Sequence, residues 1–215
     1  MNRLVLFTLC SSLLPLKAAE EHPAGVPAAK ALAMLVDGND RYAAHRETHP
    51  DASLERRAEL TKGQHPYAVV LGCADSRVPP ELIFDAGLGD LFVIREAGNV
   101  VDDVVLGSVE YAVEHLGVKL VMVLGHEKCG AVTAAVNHTR EAHISSIVKA
   151  IEPSVQATKK EPGDAVRNCV LANAKRVAGQ IRNAPPILAH AVHEGTLKVV
   201  AADYDLATGR VTILE

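Results

Sequence analysis

Two short segments hold the side chains best suited to chemistry. Cys73-Ala74-Asp75-Ser76-Arg77 brings together a thiol, a carboxylate and a guanidinium, and His126-Glu127-Lys128-Cys129-Gly130 an imidazole and a second thiol. Each begins where an apolar run ends: Tyr67–Leu71 closes at Gly72, and Leu120–Leu124 at Gly125. In open parallel sheets, ligands and catalytic groups gather at the carboxyl ends of the strands. If the two runs are neighbouring strands, Cys73, His126 and Cys129 converge in one crevice. Two thiolates and one imidazole suit Zn²⁺, a borderline-soft ion, and three protein ligands leave a fourth position for water, as in catalytic rather than structural sites. Taken singly, C-x-D-x-R reads as a loop ion pair and H-x-x-C as a weak metal signal. The expectation rests on their combination, in this order, at two strand ends.

Within the first segment, residues two apart in an extended or turning backbone point the same way. Asp75 is therefore expected beside Cys73, with Arg77 able to grip its carboxylate in a bidentate pair. A carboxylate there has two roles open to it, ligating the metal or accepting a hydrogen bond from metal-held water, and the residues alone do not choose. Cys129 precedes an Ala/Val helix, whose first N–H groups are expected to favour its thiolate.

The elements that must position these groups follow from periodicity. Residues 28–46 and 51–61 read as helices. Tyr67–Leu71, Leu91–Ile94 and Leu120–Leu124 are continuous apolar runs, the mark of strands buried on both faces. Pro79-Pro80 opens a short helix through Phe84, and Val101–Leu116 is an amphipathic helix ended by Gly117. Two helical stretches follow, split by Pro153 and by Glu161-Pro162-Gly163. Leu197–Tyr204 and Arg210–Leu214 read as strands joined by a tight turn at Thr208-Gly209. The alternation predicts an α/β fold: a mainly parallel central sheet flanked by helices, with an N-terminal helical arm and a C-terminal antiparallel strand pair. The 215 residues suffice for one domain with a full core, and a net charge of −4 points away from nucleic acid and anionic membrane surfaces.

The N-terminus reads as a secretory signal. Arg3 supplies a positive start, Leu4–Leu14 a short apolar run, and Leu16-Lys17-Ala18-Ala19 a cleavage region. The expected organisation is a signal peptide over residues 1–19, a flexible lead-in over 20–27, and one domain over 28–215. The expected location is periplasmic or secreted, with no stable membrane insertion after cleavage. Removing the signal leaves Cys73, Cys129 and Cys169, an odd number that argues against a disulfide framework and for two metal thiolates plus one buried core cysteine.

These residues resemble the β-class carbonic anhydrases, which carry C-x-D-S-R and H-x-x-C-G. The likeness runs on through Gly63-Gln64-His65-Pro66, residues 92–99, Ser108–Ala112 and Lys198–Tyr204, and covers nearly everything after residue 27. The resemblance implies one Zn²⁺ per subunit on Cys73, His126 and Cys129, and an Asp75–Arg77 catalytic dyad whose aspartate can swing onto the metal in a closed state. It further implies that Gln64 donates a hydrogen bond to bicarbonate across a dimer interface. Phe92, Ala97 and Tyr111 would line an apolar CO₂ pocket with Gly98 at its mouth. Ala74 stands where serine is common, and Glu96 where many members have asparagine or a small apolar residue. A subgroup with a second, inhibitory bicarbonate site carries a tryptophan, and this chain has none.

The function so implied is zinc-dependent, reversible hydration of CO₂ to bicarbonate and a proton, by a homodimer or homotetramer. Two thiolates make zinc less acidic than three imidazoles would, so activity is expected to favour alkaline pH. The alternatives are a zinc hydrolase of carbon disulfide or carbonyl sulfide, and a zinc-binding protein without turnover. The first needs a restricted tunnel to the metal. The second has no use for Asp75, Arg77 and Gln64.

Overall fold

The computed structural model describes residues 25–214. The signal-peptide reading and most of the lead-in lie outside these residues; 25–27 carry no regular structure. Five strands form one sheet: β1 (Ala68–Gly72), β2 (Leu91–Arg95), β3 (Leu120–His126), β4 (Lys198–Tyr204) and β5 (Val211–Leu214), in the order β2-β1-β3-β4-β5. The first four are mutually parallel and β5 pairs antiparallel to β4, as the sequence predicts. Every residue of β1 and β3 is buried, which explains their unbroken apolar runs: helices cover both faces.

Two apolar clusters fill the space on either side. One packs Val70, Met122, Leu124 and Ala202 against Leu35 of α1 (Ala28–Ala43), Ile83 of α3 (Pro80–Ile83), Val132 of α5 (Gly130–Val136) and Ile151 of α6 (Ile144–Thr158). The other packs Val69, Leu71, Val121 and Val123 against Val109 of α4 (Asp103–His115), Val177 of α7 (Ala165–Arg182) and Leu188 of α8 (Ile187–His193). The remaining helix, α2 (Leu54–Glu59), lies within the predicted 51–61 stretch and runs into a 3₁₀ turn at Leu60–Lys62 that ends one residue beyond it. Helix α1 is fixed to its own domain by the buried Asn39, which donates to the Ile83 and Gly209 carbonyls and accepts from the Val211 N–H. A Cβ on Gly38 would stand 1.9 Å from the Phe84 carbonyl oxygen, so only glycine permits this approach.

Two expectations need correcting. Pro153 does not divide the chain but lies inside α6. A helical proline lacks the N–H that would bond the Lys149 carbonyl four residues earlier, and the turn is held by its buried neighbours Ile151, Ser154 and Val155. Helix α8 was not anticipated, being too short to show a period. The break at Glu161-Pro162-Gly163 is present, and Asp164 caps α7 by accepting from the Val166 and Arg167 N–H groups.

Candidate metal centre

Strands β1 and β3 are adjacent, so their carboxyl ends open side by side. Cys73 follows β1 directly, His126 is the last residue of β3, and Cys129 is the N-cap residue of α5. The Cys73 and Cys129 sulfurs stand 3.9 Å apart, and with a His126 nitrogen all three ligand atoms lie within 4.8 Å of one another, all from buried residues. His126 Nδ1 faces the Glu127 carbonyl at 2.8 Å, which turns Nε2 inward, where it is buried without a hydrogen-bond partner. A buried polar atom without a partner costs free energy. Two sulfurs and an unmatched imidazole nitrogen, whose ring a carbonyl holds in place, are together a donor set that fits a bound metal.

The two thiols act on each other. Contact with Cys129, assisted by His126 and the Gly98 N–H, lowers the pKa of the Cys73 thiol against the effect of burial. Contact with Cys73, together with burial, pushes Cys129 up. The N–H groups of Ala131 and Val132, at the start of α5, act in the opposite direction and lower it. Burial lowers the pKa of His126, yet the Cys73 sulfur and the Glu127 carbonyl carry it above its ordinary value.

Asp75 sits beside this cluster, its Oδ2 3.9 Å from His126 Nε2. Arg77 grips it as a fork, Nε to Oδ1 at 2.9 Å and Nη2 to Oδ2 at 2.7 Å, and the Arg77 N–H adds a third bond to Oδ1 at 3.0 Å. Chiefly through that side chain, and against burial, the carboxyl is held well below the usual carboxylate range. Arg95, the last residue of β2, braces the same loop by donating to the carbonyls of Cys73 (3.0 Å) and Asp75 (2.6 Å). Sequence reasoning gave Arg95 no role; its position at the end of a strand adjoining β1 was the available signal.

The remaining candidates divide. Gly98 touches the cluster, its N–H donating to Cys73 Sγ at 3.2 Å, and Ala97 precedes it. Phe92 and Tyr111 pack on each other, ring centroids 6.3 Å apart, with Phe92 against the apolar cluster on the sheet face opposite Cys73 and Cys129. Tyr111 and Gln64 are exposed. A cleft of about 370 Å³ lined by Glu127, Lys128, Thr133, Asp164, Val166 and Arg167 lies beside the His126–Cys129 turn. A larger one, about 490 Å³, is lined by residues of the 138–152 region and by none of the candidates.

Comparison with known proteins bears on all of this. Residues 68–211 match the family model described as "Carbonic anhydrase". The chain is 42% identical over 184 residues to a carbonic anhydrase of Mycolicibacterium smegmatis, covering 83% of this chain and 89% of that one. It is 39% identical, with the same coverage, to carbonic anhydrase 2 of Mycobacterium tuberculosis. Its fold superposes with a TM-score of 0.71 on one of two tetrameric β-carbonic anhydrases from Sordaria macrospora, at 25% identity, covering 86% of this chain and 97% of that one.

Proposed function

Because the chain belongs to the β-class carbonic anhydrase family, we propose that it catalyses the reversible hydration of CO₂ to bicarbonate and a proton, with one zinc ion per subunit on Cys73, His126 and Cys129. One observation carries this reading: two sulfurs and an unpartnered imidazole nitrogen meet in a buried cluster beside a carboxylate held by arginine. Two sulfurs bound to one tetrahedral zinc at about 2.3 Å stand about 3.8 Å apart, and here they stand 3.9 Å apart. When bound, zinc supplies a Lewis acid that brings the pKa of water toward neutrality.

The chain's own residues do the rest. The Glu127 carbonyl accepts from His126 Nδ1, which fixes the tautomer that presents the Nε2 lone pair to the ion. Arg77 keeps Asp75 ionised and turned toward itself, leaving an Oδ2 lone pair to accept a hydrogen bond from the attacking water and orient it. Gln64 is assigned to bicarbonate, and Phe92, Ala97, Gly98 and Tyr111 to the apolar CO₂ pocket. Because Gln64 and Tyr111 are exposed, this assignment calls for a second subunit. The exposed Val104 and Tyr111 on α4, flanking the β2 edge, favour such a partner, and the Sordaria relatives are tetrameric. A homodimer or homotetramer follows. No described helix is long and apolar enough to cross a membrane. We assign residues 1–19 to a signal peptide and the mature protein to the periplasm or exterior, which predicts a native N-terminus near Glu20.

The test is Asp75→Asn and Arg77→Ala, assayed for zinc content and stopped-flow CO₂ hydration. Both variants should keep about one zinc per subunit, since three ligands remain, and both should hydrate CO₂ slower by tenfold or more. The Arg77 variant should also show a more alkaline or flattened pH profile. Rates within a factor of about two of wild type in both, with zinc retained, refute the dyad's role.

A further inference from the structure

Helix α7 contributes no candidate ligand, yet one of its side chains is tied to the metal cluster. Asn173 is 1% exposed, and its Nδ2 donates to the Gly98 carbonyl at 2.9 Å across 75 residues of sequence. Its orientation is fixed from the other side. Asn173 Oδ1 accepts from Arg176 Nη2 at 3.1 Å and from Ser154 Oγ at 3.2 Å, and Arg176 Nε in turn donates to Ser154 Oγ at 2.9 Å. A flipped amide would set its NH₂ against a guanidinium, so the donor must face Gly98. Gly98 holds left-handed backbone (φ 72, ψ 20), and its own N–H reaches Cys73 Sγ at 3.2 Å. A buried polar chain therefore runs from Arg176 through Asn173 and Gly98 to a sulfur of the cluster.

We propose that Asn173 is a positioning residue of the metal centre: by clamping the Gly98 carbonyl it aims the Gly98 N–H at Cys73 Sγ and so sets how much charge that sulfur gives the metal. An N–H donor withdraws electron density from a thiolate, and outer-shell partners of this kind tune ligand basicity. Removing the clamp leaves Gly98 free to turn, and the sulfur becomes the stronger electron donor. The inference rests on the metal reading of Cys73, His126 and Cys129.

The experiment uses the full chain loaded with Co²⁺, whose thiolate-to-metal charge-transfer absorption reports the sulfur's electron density. Asn173→Asp keeps the acceptor toward Arg176 and Ser154 but puts an oxygen against the Gly98 carbonyl. Asn173→Ala removes the donor without adding charge, should the aspartate variant fail to fold. Ser154→Ala disturbs the same buried network and leaves the bond to Gly98 in place. The Asn173 variants should shift the band to longer wavelength, while Ser154→Ala keeps it near wild type. An unmoved band in folded Asn173 variants, or an equal shift in Ser154→Ala, overturns the inference alone. A wild-type chain without any thiolate band overturns the metal reading, and the inference with it.

Discussion

Gly98→Ala probes how tightly the turn beside Cys73 is built. At φ 72 the backbone is in the left-handed region, where a residue with a Cβ is disfavoured by about 1–2 kcal/mol. The new Cβ would also stand 2.7 Å from Ile151 Cδ1 and 3.1 Å from Ala131 Cβ. Ile151 is fully buried, so its methyl can yield only by moving other core atoms, and overpacking of this kind costs about 1–3 kcal/mol. The two terms together reach roughly 2–5 kcal/mol, and at about 2–4 °C per kcal/mol for a chain of this size the expected fall in Tm is about 10 °C. Circular dichroism melts of the metal-loaded protein measure this directly. Gly179→Ala serves as comparator: it lies within α7, nothing would stand within 4 Å of its Cβ, and alanine there should be neutral or stabilising by up to about 1 kcal/mol. A Gly98→Ala melt within about 2 °C of wild type, or one no lower than that of Gly179→Ala, refutes the reasoning.

Three further outcomes are expected. Cys129→Ser should remove most metal and activity while Cys169→Ala, in the apolar core, leaves metal content unchanged; full occupancy in the Cys129 variant would remove it from the ligand set. Asn39→Ala strips three hydrogen bonds that join α1 to α3 and to the β4–β5 turn, and should cost about 2–4 kcal/mol, read as a lower urea midpoint; an unchanged midpoint contradicts it. Asp85 is fully buried, and although burial pushes its pKa up, Arg41 and the N–H groups of Thr48 and His49 draw it down to about 2. A depressed folded pKa means stability that is present above about pH 4 and lost as pH falls toward 2, so wild type should lose stability more steeply in that window than Asp85→Asn; parallel profiles would refute the assignment.

The cluster was legible because its ligands follow strands so apolar that their ends stand out, and because each motif supplies residue types with little other reason to recur together. The parallel sheet was legible for the same reason. What escaped the sequence depends on partners distant in the chain. Pro153 reads locally as a break, yet α6 continues past it, with Ile151 and Val155 buried in the core on either side. Arg95 lies in the 92–99 likeness without a role attached, and Asn173 carries no motif: each acts by donating to backbone carbonyls 20 or more residues away, which leaves no trace in local spacing. The contact between the two sulfurs has a similar origin, since Cys73 lies 56 residues before Cys129.

The adjacency of β1 and β3 has a kinetic consequence. Between them the chain must lay down β2 at the sheet's edge and return through α4 before the two central strands can pair. Such non-local parallel pairings are slow, because loop closure precedes any reward from contact. Cys73 cannot meet His126 and Cys129 until that crossover is complete, so the metal has no complete set of ligands to hold early in folding. The two apolar clusters, formed without it, must first bring the strands into register. Unlike a zinc finger, which is unfolded without its ion, this chain should therefore fold first and acquire its metal into a finished site, and its rate of folding should not depend on metal concentration.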